Sequence, residues 1–161
     1  MHLAAVLLAS LSVLAAQEPI TQEPVAKIAT EADHSKAMKE LQSLDRALRD
    51  NIEEVARADL ERMLLFQATM DARRDAARIG DILAEVAAFW EARKDVEALA
   101  LSRDALQEAA NISKALAVID LHSPSVATIA QEQLGKVCTK CHAARRERLP
   151  DGRFQIRRQT P

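Results

Sequence analysis

Five consecutive residues, Cys138-Thr139-Lys140-Cys141-His142, carry the clearest chemistry in the chain. Two thiols two residues apart, with an imidazole directly after the second, have the spacing for covalent attachment of haem. Each thiol adds across one vinyl group to form a thioether, and the histidine reaches the iron as an axial ligand. Three other chemistries use similar residues. A thioredoxin-like redox pair sits at a strand-to-helix junction, and no strand-like alternation precedes Val137. A zinc site needs further Cys or His ligands, and beyond the N-terminal apolar run only His34 and His122 remain. A disulfide between such near neighbours on one helix closes almost no loop and stabilises little. Attachment of one haem c through Cys138 and Cys141 is the reading these residues support best.

The N-terminus points the same way. Residues 1–16 hold the apolar run Leu3-Ala4-Ala5-Val6-Leu7-Leu8 and end in small residues, Val13-Leu14-Ala15-Ala16. That is the pattern of a secretory signal peptide, with cleavage expected after Ala15 or Ala16, although His2 and the terminal amine are the only positive groups ahead of the run. The run is shorter than a spanning helix requires, so no stable membrane insertion is expected after cleavage. Export predicts a periplasmic protein, and an oxidising compartment does not passively preserve a reduced dithiol. Residues 17–29 then read as an N-terminal linker.

A haem must be positioned by something, and the composition says helices. Only Phe66, Phe89, Trp90 and Phe154 are aromatic, there is no Tyr, and Gly and Pro are scarce between Ala26 and His122. Ala, Leu, Glu, Lys, Arg and Gln dominate, which predicts an all-α chain. Four segments carry helical periodicity. The first opens at Thr30, where Thr-x-x-Asp resembles a capping box, and continues through Ala37, Leu41, Leu44, Leu48, Ile52 and Val55. The second is expected from about Asp59 through Leu60, Met63, Leu64, Met70 and Ala77 towards Gly80, with 81–90 either helix or connector. A third is expected from near Glu91 through Val96, Leu99, Leu106, Ile112, Leu116 and Ile119. The fourth has Ser123 as its cap, Pro124 in its first turn and Pro150-Asp151-Gly152 as its stop. These imply an antiparallel four-helix bundle over residues 30–149 with the haem near its C-terminal end, followed by a basic tail over 150–161. In that tail Pro150-Asp151-Gly152 reads as a turn and Arg153-Phe154-Gln155-Ile156 alternates like a short strand; a loosely ordered tail is expected, with Phe154 or Ile156 covering the haem as the alternative.

With these features the chain resembles the class II c-type cytochromes, meaning cytochrome c prime and its low-spin relatives. The resemblance lies in four helices, a single Cys-x-x-Cys-His near the C-terminus, the run Leu134-Gly135-Lys136-Val137 before it, and Phe89-Trp90 before the third helix. It implies that Cys138 and Cys141 hold the haem, that His142 is the proximal iron ligand, and that the first helix covers the distal face. High-spin members place an apolar residue there, and low-spin members a ligating Met. Met38-x-x-Leu41 is similar to the early helix of the low-spin group, so Met38 is the expected sixth ligand. His34, one turn earlier, is the alternative, as an iron ligand or a propionate contact. Met63 and Met70 are expected in the core, and His122 at the surface. The chain departs from the family's pattern at Arg145, where an aromatic residue is common, and at His34, where Arg is frequent.

Charge is uneven. From Lys136 onward there are eight basic residues (Lys136, Lys140, Arg145, Arg146, Arg148, Arg153, Arg157, Arg158) against Glu147 and Asp151, in a chain whose net charge is −2. Two readings stay open: an electropositive rim that steers an acidic redox partner, and a solvated tail whose arginines partly neutralise the haem propionates. Nucleic acid is not an expected partner, and a homodimer remains open. The implied function is a single-haem electron carrier with His/Met ligation, not an enzyme and with no catalytic residue. The alternative is a five-coordinate, high-spin haem protein that binds nitric oxide or carbon monoxide.

Overall fold

The computed structural model describes residues 27–57, 62–117 and 123–157. Among them are four helices, α1 (Glu31–Ala56), α2 (Arg62–Ala92), α3 (Val96–Ala117) and α4 (Ser123–Arg145), and a short hairpin, β1 (Arg146–Arg148) with β2 (Phe154–Ile156). The helices pack as a bundle in chain order, with α4 returning onto α1. Their senses alternate. Arg93 at the end of α2 donates to Glu31 at the start of α1 (3.1 Å), and Arg145 at the end of α4 donates to Asp95 just before α3 (2.7 and 2.8 Å). None of these helices is long and apolar enough to cross a membrane.

Local chemistry accounts for the helix ends. Thr30 is the N-cap of α1: its hydroxyl accepts from the Asp33 amide, and the Asp33 carboxylate accepts from the Thr30 amide, a complete capping box. The link between α2 and α3 is tighter than the composition suggests. Asp95 N–H donates to the Trp90 carbonyl and Lys94 N–H to the Glu91 carbonyl, which is the Schellman pattern. Its left-handed position is Lys94, with φ of 57°, where glycine is usual. Asp95 then caps α3, its carboxylate accepting from the Ala98 amide at 3.0 Å. The helix therefore runs unbroken through 81–90 and past Glu91, and α3 starts at Val96. No Gly or Pro marks that junction.

The core interleaves small and large side chains. Ala72, Ala76, Ala98, Ala105 and Ala109 are buried, and around them Leu48, Ile52, Ile79, Ile82, Ile112, Leu116 and Leu134 are almost wholly enclosed. The buried face of α2 runs from Ala68, Ala72 and Ala76 through Ile79, Ile82, Leu83 and Val86 to Phe89 and Trp90. This corrects the expected stripe: Met63 and Leu64 are exposed, Met70 is only partly buried, and Val96 on α3 is exposed. On α1, Ala37, Leu41, Leu48 and Ile52 are buried as the periodicity predicts. Gln131 fixes α4 to α1 by donating to the Asp45 carbonyl (3.0 Å) and carboxylate (3.2 Å).

The end of α4 also differs from the expectation. Pro150-Asp151-Gly152 does not stop the helix; it turns a hairpin that begins directly after Arg145. Gly152 supplies the positive φ (84°), its amide donates to the Leu149 carbonyl, and Leu149 N–H donates to Arg153. Arg146, Glu147 and Arg148 pair with Ile156, Gln155 and Phe154, and Ile156 packs against the bundle. The basic tail is thus folded back on the domain as far as Arg157, whose amide donates to the Arg145 carbonyl at 2.8 Å. The expected signal peptide, most of the linker, the Ser123 cap, Leu60, Ile119 and His122 lie outside the residues or side chains described.

Candidate haem-binding cavity

Alternating helix senses bring the start of α1, the end of α2, the start of α3 and the end of α4 to one end of the bundle, and there they enclose a cavity of about 760 Å³. The cavity is partly open to solvent, and pockets for organic ligands run to ~300–1,000 Å³, so its size suits a bound group. Every residue assigned a role from the sequence lines it: Cys138, Cys141 and His142 from α4, and Met38 and His34 from α1. Helical spacing explains how. Cys138, Cys141 and His142 stand at i, i+3 and i+4 on one face of α4, whose inner end is Leu134. On α1, His34, Met38, Leu41 and Asp45 descend another face at steps of four, three and four residues. Leu83 and Val86 of α2 and Leu101 and Ala105 of α3 give the cavity apolar walls.

Burial disfavours the thiolate form of both cysteines. Burial, with smaller contributions from the Asp45 carboxylate and from Cys141, pushes Cys138 up to about 11. Burial also raises Cys141, against the opposing pull of Arg145. Both are free thiols in the last turns of a helix, where the macrodipole disfavours a thiolate. A reactive pair needs the reverse, a helix N-terminus and a lowered pKa. Nor is there, among the described residues, a cluster of three or more Cys, His, Asp or Glu arranged to hold an ion. A haem needs no such cluster, because the porphyrin supplies four of the iron's ligands.

The donor set fits that group. Two thiols and an imidazole lie on one wall and a thioether on another, inside an apolar recess, which is the set that a His/Met-ligated c-type haem uses. His142 is exposed at the cavity, and its pKa is lowered by desolvation and by Arg146, which favours the neutral imidazole that binds metals. His34 is more enclosed than a residue near a helix start would be expected to be. It stacks on Phe89 (4.8 Å between centroids) and meets the edge of Trp90 (5.4 Å). Burial first, then the charges of Arg93 and His142, hold its pKa at about 4, so it too is neutral at pH 7. Met38 is half-buried and packs against the core.

One feature of the site escaped the sequence, and a second was read from it only in part. Arg145, on the cavity wall, forms a buried two-point ion pair with Asp95 (2.7 and 2.8 Å) and a third bond to Glu97 (2.7 Å). It thereby pins the turn that carries His142 to the start of α3. Its spacing from Cys141, four residues along the same face, was the available signal. The second is the hairpin: its turn and the strand-like alternation of Arg153 to Ile156 were legible, but not the pairing with Arg146–Arg148, which puts Arg146, Arg153, Phe154 and Ile156 into the cavity lining. The Arg146 guanidinium lies 3.4 Å from the Phe154 ring centroid, a cation–π pair that stiffens the flap.

No family model matches this sequence, and no curated protein or solved structure is similar enough to be matched.

Proposed function

We propose that this chain is a periplasmic monohaem cytochrome of the class II kind, an electron carrier and not an enzyme, with one haem c attached through Cys138 and Cys141. His142 is the proximal ligand and Met38 the sixth. One observation carries the reading: the Cys-x-x-Cys-His face of α4 and the Met38 face of α1 line the same cavity at one end of the bundle. The bound haem supplies one-electron exchange at its iron. The protein's own part would be to hold it: the α4 face would fix the porphyrin, Leu83, Val86, Leu101 and Ala105 would pack against it, and a thioether ligand would stabilise the reduced state and so raise the potential. Lys136, Lys140, Arg146, Arg148, Arg153 and Arg157 are all exposed around this end and favour an acidic redox partner. His34 is the second reading for the sixth ligand, favoured by its place on the same wall and its neutral ring.

A single preparation tests this. The protein produced with a haem-attachment system should carry one haem by mass after denaturation, and Cys138→Ala with Cys141→Ala should not. The ferrous spectrum should be low-spin and change little on adding carbon monoxide. A protein with apo mass would overturn the haem reading. A high-spin spectrum with rapid carbon monoxide binding would replace the carrier with the five-coordinate gas-binding alternative.

A further inference from the structure

The charged groups that line the cavity are unevenly paired. Four are cations, Lys39, Arg145, Arg146 and Arg153, and two are carboxylates, Glu31 and Asp45. Both carboxylates have partners of their own: Glu31 accepts from Arg93 at 3.1 Å, and Asp45 accepts from Gln131 at 3.2 Å and pairs with Arg49 at 3.6 Å. Arg145 is held by Asp95 and Glu97, and Arg153 pairs with Asp151 of its own turn at 2.7 Å. Lys39 is an exposed ammonium that no contact among the described residues fixes. Arg146 differs from all of these. Among the described residues no carboxylate pairs with it, yet its guanidinium is fixed, 3.4 Å from the ring centroid of Phe154 on the facing strand. Stacking occupies the planar face of a guanidinium and leaves the N–H groups in its plane free to donate. Arg146 and Phe154 are both exposed, Phe154 at 51 %, and both line the cavity, so an occupant has access to them. Ile156 packs β2 onto the bundle and the Arg157 amide donates to the Arg145 carbonyl, which holds this stacked pair beside the end of α4. A fixed, unpaired guanidinium next to an apolar recess is complementary to a carboxylate, which accepts from two of its N–H groups at once.

We propose that Arg146, held by Phe154, binds a carboxylate of the group that occupies this cavity. The inference rests on the haem reading, and under it the carboxylate is a haem propionate. Phe154 is then a positioning residue that acts through Arg146. Arg148 and Arg157, exposed on the same hairpin but outside the lining, are left to face a redox partner.

The test uses the full chain with haem attachment confirmed by mass after denaturation, and resonance Raman spectroscopy under Soret excitation to read the propionate bending mode. Arg146→Gln should shift that mode. Phe154→Leu, which keeps the charge but removes the ring face, should shift it less in the same direction. Arg148→Gln removes the same charge from the same strand and should leave the mode in place, and all three variants should keep the wild-type far-ultraviolet circular dichroism. An unshifted mode in Arg146→Gln, or an equal shift in Arg148→Gln, would overturn the proposal and leave the haem reading intact. An unshifted mode in Phe154→Leu would overturn the part assigned to the ring. Absence of covalent haem by mass would overturn the parent reading and the propionate with it.

Discussion

Arg145→Ala tests whether the end of α4 is held as the geometry requires. The Arg145 side chain is 15 % exposed and Asp95 6 %, so their paired bonds of 2.7 and 2.8 Å lie in a poorly solvated place. Removing the guanidinium takes two charge-assisted donors from a buried carboxylate, and breaking such a pair costs about 3–5 kcal/mol. The third bond reaches Glu97, which is 65 % exposed, and a bond of that kind is worth at most ~1 kcal/mol. Arg145→Ala should therefore cost about 3 kcal/mol, or roughly 10 °C in Tm for a domain of this size. Glu97→Ala should cost under ~1 kcal/mol. Arg145→Lys should fall between, because it keeps the charge but loses the two-pronged geometry. Guanidinium unfolding of the haem-loaded protein at pH 7, followed by far-ultraviolet circular dichroism and Soret absorbance, gives the ranking. Arg145 follows His142 by three residues, so Arg145→Ala should also loosen the proximal turn and raise the high-spin fraction. If Arg145→Ala were no more destabilising than Glu97→Ala, the clamp would be a surface pair and the argument would fail.

Met38→Ala should convert a low-spin protein into one that is high-spin and binds carbon monoxide, with a lowered potential, while Met63→Ala, exposed on α2, should change neither spectrum nor potential. A low-spin Met38→Ala protein would hand the sixth position to His34. His34 has its pKa lowered from 6.5 to about 4, so the unfolded chain takes up its proton first as the pH falls. Its contribution is complete above the unfolded value and is lost towards pH 4, by roughly 3 kcal/mol at most. His34→Phe should flatten the fall in urea midpoint between pH 7 and 4.5; an unchanged slope would mean His34 is solvated. Lys94→Gly should stabilise the protein by roughly 1 kcal/mol, the strain of a Cβ in the left-handed region, and a thermal melt that moves down would refute that origin.

Much of this protein is legible in its residues taken in order. Cys138, Cys141 and His142 belong to one helical turn, so the proposal of covalent haem attachment rests on their local spacing. Helix class is local too, since propensity and the three-and-four periodicity of Leu41, Leu48 and Ile52 act within α1, and Thr30 with Asp33 writes its start. The turn between α2 and α3 was hidden because Lys94 occupies a left-handed position without glycine's signature, and the chain tolerates that strain through hydrogen bonds to Trp90 and Glu91. The buried face of α2 was misjudged because hydrophobicity alone ranks Met63 and Leu64 above Ala72 and Ala76. Burial on α2 instead begins at Ala68, beyond Met63 and Leu64, and continues through Ala72, Ala76 and Ile79.

The site as a cavity belongs to the tertiary structure. Met38 and Cys138 are a hundred positions apart, and only the alternation of helix directions brings their ends together. The same alternation sets Asp95 against Arg145 and folds the hairpin over the cavity, turning a run of arginines into a wall. Such pairings have no local signal, because the free energy that selects them comes from burial and ion pairing between segments that meet only when the bundle closes.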